Sequence, residues 1–201
     1  MKIGEFEFEI DDMVYEPSDD SFLLANNLDI DFGDKVLEIG TGSGIIAMYA
    51  SKIADEVIAT DINFDAILLS EKNFLANNIK NIKLLFGDLF EPIKKESSEN
   101  QKFDVILFNT PYLPTEDCEI LEDNLNYAFD GGLDGRKVID NFLNEVKNFL
   151  NEGARVQLVQ SSLSNVEKTL LKLEELGFSV EITASERFFF EEIVLITGFL
   201  H

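Results

Sequence analysis

Val36-Leu37-Glu38-Ile39-Gly40-Thr41-Gly42-Ser43-Gly44 is an apolar run that enters a glycine-rich turn, and Ile45 to Ser51 leaves it with helix-compatible, mostly apolar spacing. Strand, tight turn and helix in that order open a nucleotide-binding α/β unit. Glycine lets the backbone turn sharply and approach a ligand closely, and the helix start presents free N–H groups. The spacing also discriminates between ligands. A dinucleotide site would want Gly or Ala where Ile45 stands, so Gly40, Thr41 and Gly42 with the acidic Glu38 ahead of them fit S-adenosylmethionine (SAM) better than NAD.

Composition bounds the rest. A chain of 201 residues, 45% hydrophobic and 27% charged, is long enough for one full core, so a single domain over residues 1–201 is expected. The 39 acidic residues against 16 basic ones give a net charge of -23, which disfavours unaided binding to nucleic acid. Cys118 is the only cysteine, which excludes an internal disulfide and a cysteine-cluster metal site; no metal is expected. His201, the only histidine, is terminal and a poor catalytic candidate. No charged N-region with an apolar core opens the chain and no apolar run approaches membrane-spanning length, so a cytoplasmic protein is predicted.

Ahead of the glycine turn, Glu5 to Ile10 alternates charged and apolar residues like a half-buried strand. Asp11-Asp12 would turn the chain and Met13-Val14-Tyr15 would return as a hairpin partner. Ser18 is placed to cap a helix whose positive end carries Asp19 and Asp20 and whose Phe22-Leu23-Leu24 continues inward. The whole segment Tyr15-Glu16-Pro17-Ser18-Asp19-Asp20-Ser21-Phe22 resembles the one preceding the first strand in glutamine N5-methyltransferases of the HemK type and their archaeal and eukaryotic Mtq2-like branch. The resemblance implies that residues 1–33 form an extension folded over bound SAM, with Tyr15, Glu16 and Ser21 near the cofactor.

Beyond the turn, Glu56 to Thr60 reads as a second strand ending at Asp61 and Ile62. An acidic residue about twenty positions past the first glycine, at a strand tip, can accept both ribose hydroxyl hydrogens at once. Phe64 to Asn77 is patterned as a helix and Ile82 to Phe86 as a third strand. In methyltransferases of the resembled class an Asp at the next tip holds the adenine amino group, which gives that role to Asp88 with Leu89 beside the base. Lys94 to Gln101 reads as an exposed loop.

Phe103 to Phe108 is a fourth strand that runs directly into Asn109-Thr110-Pro111-Tyr112, at the sheet end where open α/β folds hold ligands. This tip resembles the Asn-Pro-Pro-Tyr motif of enzymes that methylate planar amide or amino nitrogens, with Thr110 replacing the first proline and loosening the turn. An amide nitrogen is a poor nucleophile because its lone pair is delocalised. Acceptors at the Asn109 side-chain oxygen and the Thr110 carbonyl would favour a pyramidal nitrogen, and they strengthen as positive charge develops. Pro111 stiffens the turn and Tyr112 can stack on the planar group.

The loop holding Glu116, Asp117, Glu119, Glu122 and Asp123 is strongly acidic: a solvated loop, or an attractor for a basic protein substrate. Asp130 to Gly135 is turn-rich and precedes a helix over Arg136 to Leu150, stopped by Asn151-Glu152-Gly153. A strand over 154–160, a helix from Ser164 or Asn165 through Leu176, and two strands, Phe178 to Thr183 and Glu192 to Phe199, complete the pattern. Phe188-Phe189-Phe190 is expected to pack inward.

The predicted fold is α/β: a doubly wound, seven-stranded, mostly parallel sheet with a short N-terminal hairpin and helix addition. The resemblance implies N5-methylation of the glutamine in the Gly-Gly-Gln loop of a class I translation release factor, with S-adenosylhomocysteine as the by-product. It also implies a small zinc-binding partner resembling Trm112, docked near the Ile82 to Phe86 edge. Adenine amino-methylation of DNA or RNA is the alternative, which the acidic surface disfavours, and a SAM-binding scaffold without turnover ranks last.

Overall fold

The computed structural model describes residues 1–96, 101–115 and 124–201. A short antiparallel hairpin, β1 (Lys2–Ile3) and β2 (Phe6–Glu7), precedes seven longer strands. These are β3 (Lys35–Ile39), β4 (Glu56–Asp61), β5 (Ile82–Phe86), β6 (Phe103–Asn109), β7 (Leu150–Ser161), β8 (Phe178–Arg187) and β9 (Glu192–Leu200). They form one sheet in the order β5-β4-β3-β6-β7-β9-β8. Every pairing from β5 to β7 is parallel, and β9 runs antiparallel to both its neighbours.

Six helices cover the two faces: α1 (Asp19–Ala25), α2 (Ile45–Ala50), α3 (Phe64–Ala76), α4 (Glu91–Glu96), α5 (Lys137–Glu145) and α6 (Val166–Glu175). The alternation of side chains along β3 explains why both faces are apolar. Leu37 and Ile39 join a core with Ile93 of α4, Phe142 of α5 and Leu173 of α6. Val36 joins the opposite core with Leu24 of α1, Ile46 of α2 and Phe74 of α3. A sheet buried on both sides reads as continuous hydrophobic strands, which is how β3, β4 and β6 read. The chain leaves β3 outward to β4 and β5 but continues on the other side with β6 and β7, so the strand order reverses between β3 and β6. The loops at the carboxyl ends of these two strands therefore diverge and leave a crevice.

Several boundaries differ from expectation. Glu5 to Ile10 does not pair with Met13 to Tyr15. Only Phe6–Glu7 pairs, with Lys2–Ile3, and the following backbone is satisfied by side-chain amides of α3. Asn77 accepts from the Glu7 N–H (2.9 Å) and Asn73 from the Glu9 N–H (2.8 Å), so no second strand is needed. Lys94 to Glu96 belongs to α4, whose Pro92 and Ile93 are buried, and residues 97–100 lie outside the described residues. The predicted 136–150 helix is α-helical only to Glu145 and finishes as a 3-10 turn through Phe149, because β7 starts at Leu150. Asn151-Glu152-Gly153 then forms a bulge within β7 instead of a helix stop, the register to β6 jumping from Phe103↔Leu150 to Val105↔Arg155.

The inward packing expected of Phe188-Phe189-Phe190 is also corrected. They form the tip of the β8–β9 hairpin, closed by Phe188 N–H donating to Glu191 O at 2.8 Å, and Phe189 and Phe190 are 91% and 86% exposed. The tip lies beyond the last β8–β9 pair, Arg187↔Glu192. Cys118 and the acidic loop of Glu116 to Asp123 lie outside the described residues. Among the described residues no helix is long and apolar enough to cross a membrane.

Candidate active site

The loops after β3, β4, β5 and β6 enclose a cleft of about 400 Å³. Gly40 and Gly42 stand at φ of 67° and 55°, the left-handed region that favours glycine. A Cβ at Gly42 would meet nothing within 4 Å, so the requirement there is conformational and the loop faces open space. The turn is fastened from below and from the side. Thr41 Oγ1 donates to Glu38 Oε2 at 2.6 Å, and the Gly42 N–H donates to Asp61 Oδ2 at 2.8 Å while the Asn63 N–H donates to Oδ1 at 2.8 Å. Each Asp61 oxygen thus keeps acceptor capacity for a ligand.

Burial sets the electrostatics. Glu38 is completely buried and its pKa is pushed up to about 8, chiefly by desolvation, with the Thr41 hydrogen bond opposing and Asp61 adding to the rise. Asp61 is raised by burial against the pull of the Asn63 and Gly42 N–H groups. Asp88 is raised by burial and then by Glu91 and Glu145. Leu89 follows it at φ 43°, a strained position for a branched side chain at the rim of the cleft.

On the other side of the cleft β6 ends at Asn109, paired in register with Val159 of β7. Thr110 is buried, and its Oγ1 donates to the Val159 carbonyl at 2.7 Å. The residue expected to loosen the turn instead anchors it to the neighbouring strand. The glycine-rich segment braces the same loop from behind: the Gly131 N–H donates to Leu113 O (3.0 Å) and the Thr115 N–H to Gly132 O (2.9 Å). A Cβ at Gly131 would stand 2.8 Å from the Pro111 carbonyl oxygen, and one at Gly135 would overlap that of Tyr112.

The extension closes the third side. Met13 O accepts from Asn63 Nδ2 at 2.9 Å, which brings Val14 and Tyr15 to the cleft, and α1 brings Asp20 against the Asn109 loop. Asp20 Oδ2 accepts from Asn109 Nδ2 (3.1 Å) and the Tyr112 hydroxyl (3.3 Å), and Oδ1 accepts from the Tyr15 hydroxyl (3.0 Å) and the Ser21 N–H (2.6 Å). Burial first, then the Asp20 charge, raises both phenols far above their usual range and keeps them as neutral donors. Among the described residues Asn109 Oδ1 is buried with no hydrogen-bond partner.

Of the residues assigned from sequence, Tyr15, Ser21, Gly40, Thr41, Gly42, Asp61, Ile62, Asp88, Leu89, Asn109, Thr110, Pro111 and Tyr112 all line the cleft. Two do not. Glu16 is exposed, because the chain turns outward between Tyr15 and the start of α1, and Glu38 sits beneath the glycine turn with no surface. Asp20, Asn63 and Glu191 line it without having been singled out. Asp20 was legible only as an acidic residue suited to a helix start; what distinguishes it is the partner 89 positions away.

Known proteins share this arrangement. The family model of the methyltransferase small domain matches residues 17–190. A candidate protein N5-glutamine methyltransferase of Methanocaldococcus jannaschii is 46% identical over 187 residues, covering 92% of this chain and 91% of the relative. The human methyltransferase HEMK2 is 30% identical over 172 residues, 82% of this chain and 79% of its own. Among solved structures, the E. cuniculi Mtq2–Trm112 complex, responsible for methylation of the translation termination factor eRF1, is similar with a TM-score of 0.70 and 27% identity, over 94% of this chain and 99% of that one. With the family match spanning the glycine turn, the cleft and the Asn109 loop together, the chain is a methyltransferase and belongs to the methyltransferase small domain family.

Proposed function

We propose that this protein transfers the methyl group of SAM to the side-chain nitrogen of a protein glutamine, the one in the Gly-Gly-Gln loop of a class I release factor, releasing S-adenosylhomocysteine and the proton that the methylated nitrogen loses. The observation that carries the reading is Asn109 at the tip of β6, half-buried at the cleft, with its Oδ1 unpaired among the described residues and its Nδ2 engaged. An acceptor left without a donor is costly in a folded protein unless a ligand completes it, and an amide N–H is such a ligand. The relatives support the substrate class, one being a candidate protein N5-glutamine methyltransferase and the Mtq2–Trm112 complex acting on eRF1. The whole chain acts as one domain in the cytoplasm, with residues 1–33 covering the cofactor.

The cleft residues fit SAM. Gly40 and Gly42 offer backbone without side-chain bulk while Thr41 turns its hydroxyl to Glu38, Asp61 retains acceptor capacity for the ribose, and Asp88 with Leu89 stands where the adenine would lie. SAM supplies a methyl group already activated by its positive sulfur. The chain has to position the nitrogen. Asn109 Oδ1 and the Thr110 carbonyl accept the two N–H bonds, which aims the lone pair at the methyl and binds the developing charge more tightly than the neutral amide. Tyr112, tied by its hydroxyl to Asp20, stacks against the planar group.

A Trm112-like partner completes the reading. β5 is one of the two edge strands, and its last residue, Phe86, meets Phe64 edge to face on the surface, an apolar edge suited to strand addition. The test is peptide mass spectrometry of a release factor incubated with SAM and the protein, alone and with the partner, comparing wild type with Asn109→Ala. One methyl on the Gly-Gly-Gln glutamine, absent with the variant, is expected. No methyl under any condition, with SAM binding intact, overturns the substrate assignment.

A further inference from the structure

We propose that Asp20 is a positioning residue: its carboxylate holds the Asn109 amide in the one orientation that leaves the side-chain oxygen to accept a hydrogen bond from the substrate nitrogen's N–H. The inference rests on the reading of Asn109 given above. An amide side chain can be turned by 180°, which exchanges its donor and its acceptor at nearly constant shape. In most surroundings either end finds a partner. Here it does not. Asn109 Nδ2 lies 3.1 Å from Asp20 Oδ2 and 3.4 Å from Ser21 Oγ, and turning the amide would set its oxygen against a carboxylate oxygen that can only accept.

Asp20 is itself immobile. It is 7% exposed, and the Ser21 N–H, the Tyr15 hydroxyl and the Tyr112 hydroxyl hold its two oxygens from three directions. The same Oδ2 that accepts from Asn109 accepts from Tyr112, so one atom sets both the acceptor and the stacking ring. The consequence falls on Asn109 Oδ1, which has no donor among the described residues. A turned amide would present N–H to a substrate N–H, and the two donors would repel where the mechanism needs an acceptor. Asp20 thereby decides the polarity of the site from the N-terminal extension, on an element that precedes the sheet.

The test uses Asp20→Asn, which keeps size and shape but can donate as well as accept, so Asn109 is free to turn. Two readouts are needed. In the full-length protein the side-chain amide protons of Asn109, identified by their loss in Asn109→Ala, should be shifted and exchange slowly in wild type and move towards solvent-like values in Asp20→Asn. In steady-state kinetics with the release factor, kcat should fall about tenfold or more while KM for SAM stays within about threefold. A merely structural role would degrade both constants together, and that result overturns the inference, as does an unchanged kcat. Solvent-like Asn109 protons in wild type overturn it without reference to any substrate. Slow, shifted protons in a wild type that methylates no release factor uphold the orientation and refute the substrate assignment instead.

Discussion

Glu38 joins the chemistry of the site to the stability of the fold. Its folded-state pKa of about 8 against an ordinary 4.5 means that the folded chain keeps a proton the unfolded chain has released across that interval. The raised value therefore places its stability contribution at low pH: full below 4.5, declining as pH rises, and gone above about 8. The slope is up to about 1.4 kcal/mol per pH unit, since one pKa unit corresponds to that free energy. Urea unfolding at pH 5.5 and 7.5 should show wild type losing about 2 kcal/mol more between the two than Glu38→Gln, which carries no titrating proton. Equal losses would show that Glu38 is ionised in the fold. Thr110 offers a second test at this scale. Thr110→Val keeps the shape and removes the side-chain donor to Val159 O, and should cost about 1 kcal/mol, the net worth of one buried hydrogen bond. Neither effect was readable from residue type: Glu38 read as a ligand and Thr110 as a weakened proline, because their partners come from the fold and not from neighbouring sequence.

At the scale of elements, the glycine-rich segment packs on the loop of Asn109 to Leu113 through bare backbone contact. Gly135 stands at φ 69° with no room for a Cβ beside the Tyr112 carbonyl, whereas Gly153 at φ 73° has nothing within 4 Å. Alanine at either site costs about 1 kcal/mol for the left-handed backbone. Only Gly135→Ala should also displace Tyr112, so kcat should fall about tenfold or more in that variant and stay within about twofold of wild type in Gly153→Ala. Equal activity of the two would detach the segment from the site. The strands and the glycine turn were legible because period and punctuation are local signals. The N-terminal extension was not, since the alternation of Glu5 to Ile10 is a strand signal whose partner proved to be Asn73 and Asn77 on α3. The bulge at Asn151-Glu152-Gly153 failed for the same reason: turn residues do not announce whether a strand continues past them.

Over the whole molecule, what the sequence could convey was the alternation of strands and helices, and with it the reversal of strand order that puts Gly40 and Asn109 side by side. It could not convey which apolar residues would lack cover. Phe188 to Phe190 look like core by composition, yet they form a hairpin tip beyond the last β8–β9 pair. At the end of the edge strand β5, Phe86 is 57% exposed and packs edge to face on Phe64, with the ring centroids 5.5 Å apart. Leu68 and Leu75 are also exposed on α3. The edge strand leaves backbone donors and acceptors without a neighbouring strand, and together with this apolar rim it presents what an added strand would cover. Asn109 ends β6, which β4 and β3 separate from β5, so a partner on β5 can be lost without touching Asn109. Phe86→Asp should accordingly abolish co-purification with a Trm112-like partner while the isolated variant keeps the circular dichroism and SAM affinity of isolated wild type. Retained pairing would move the partner to another surface, and the hairpin tip at Phe189 and Phe190 would then be the apolar patch to test in the same way.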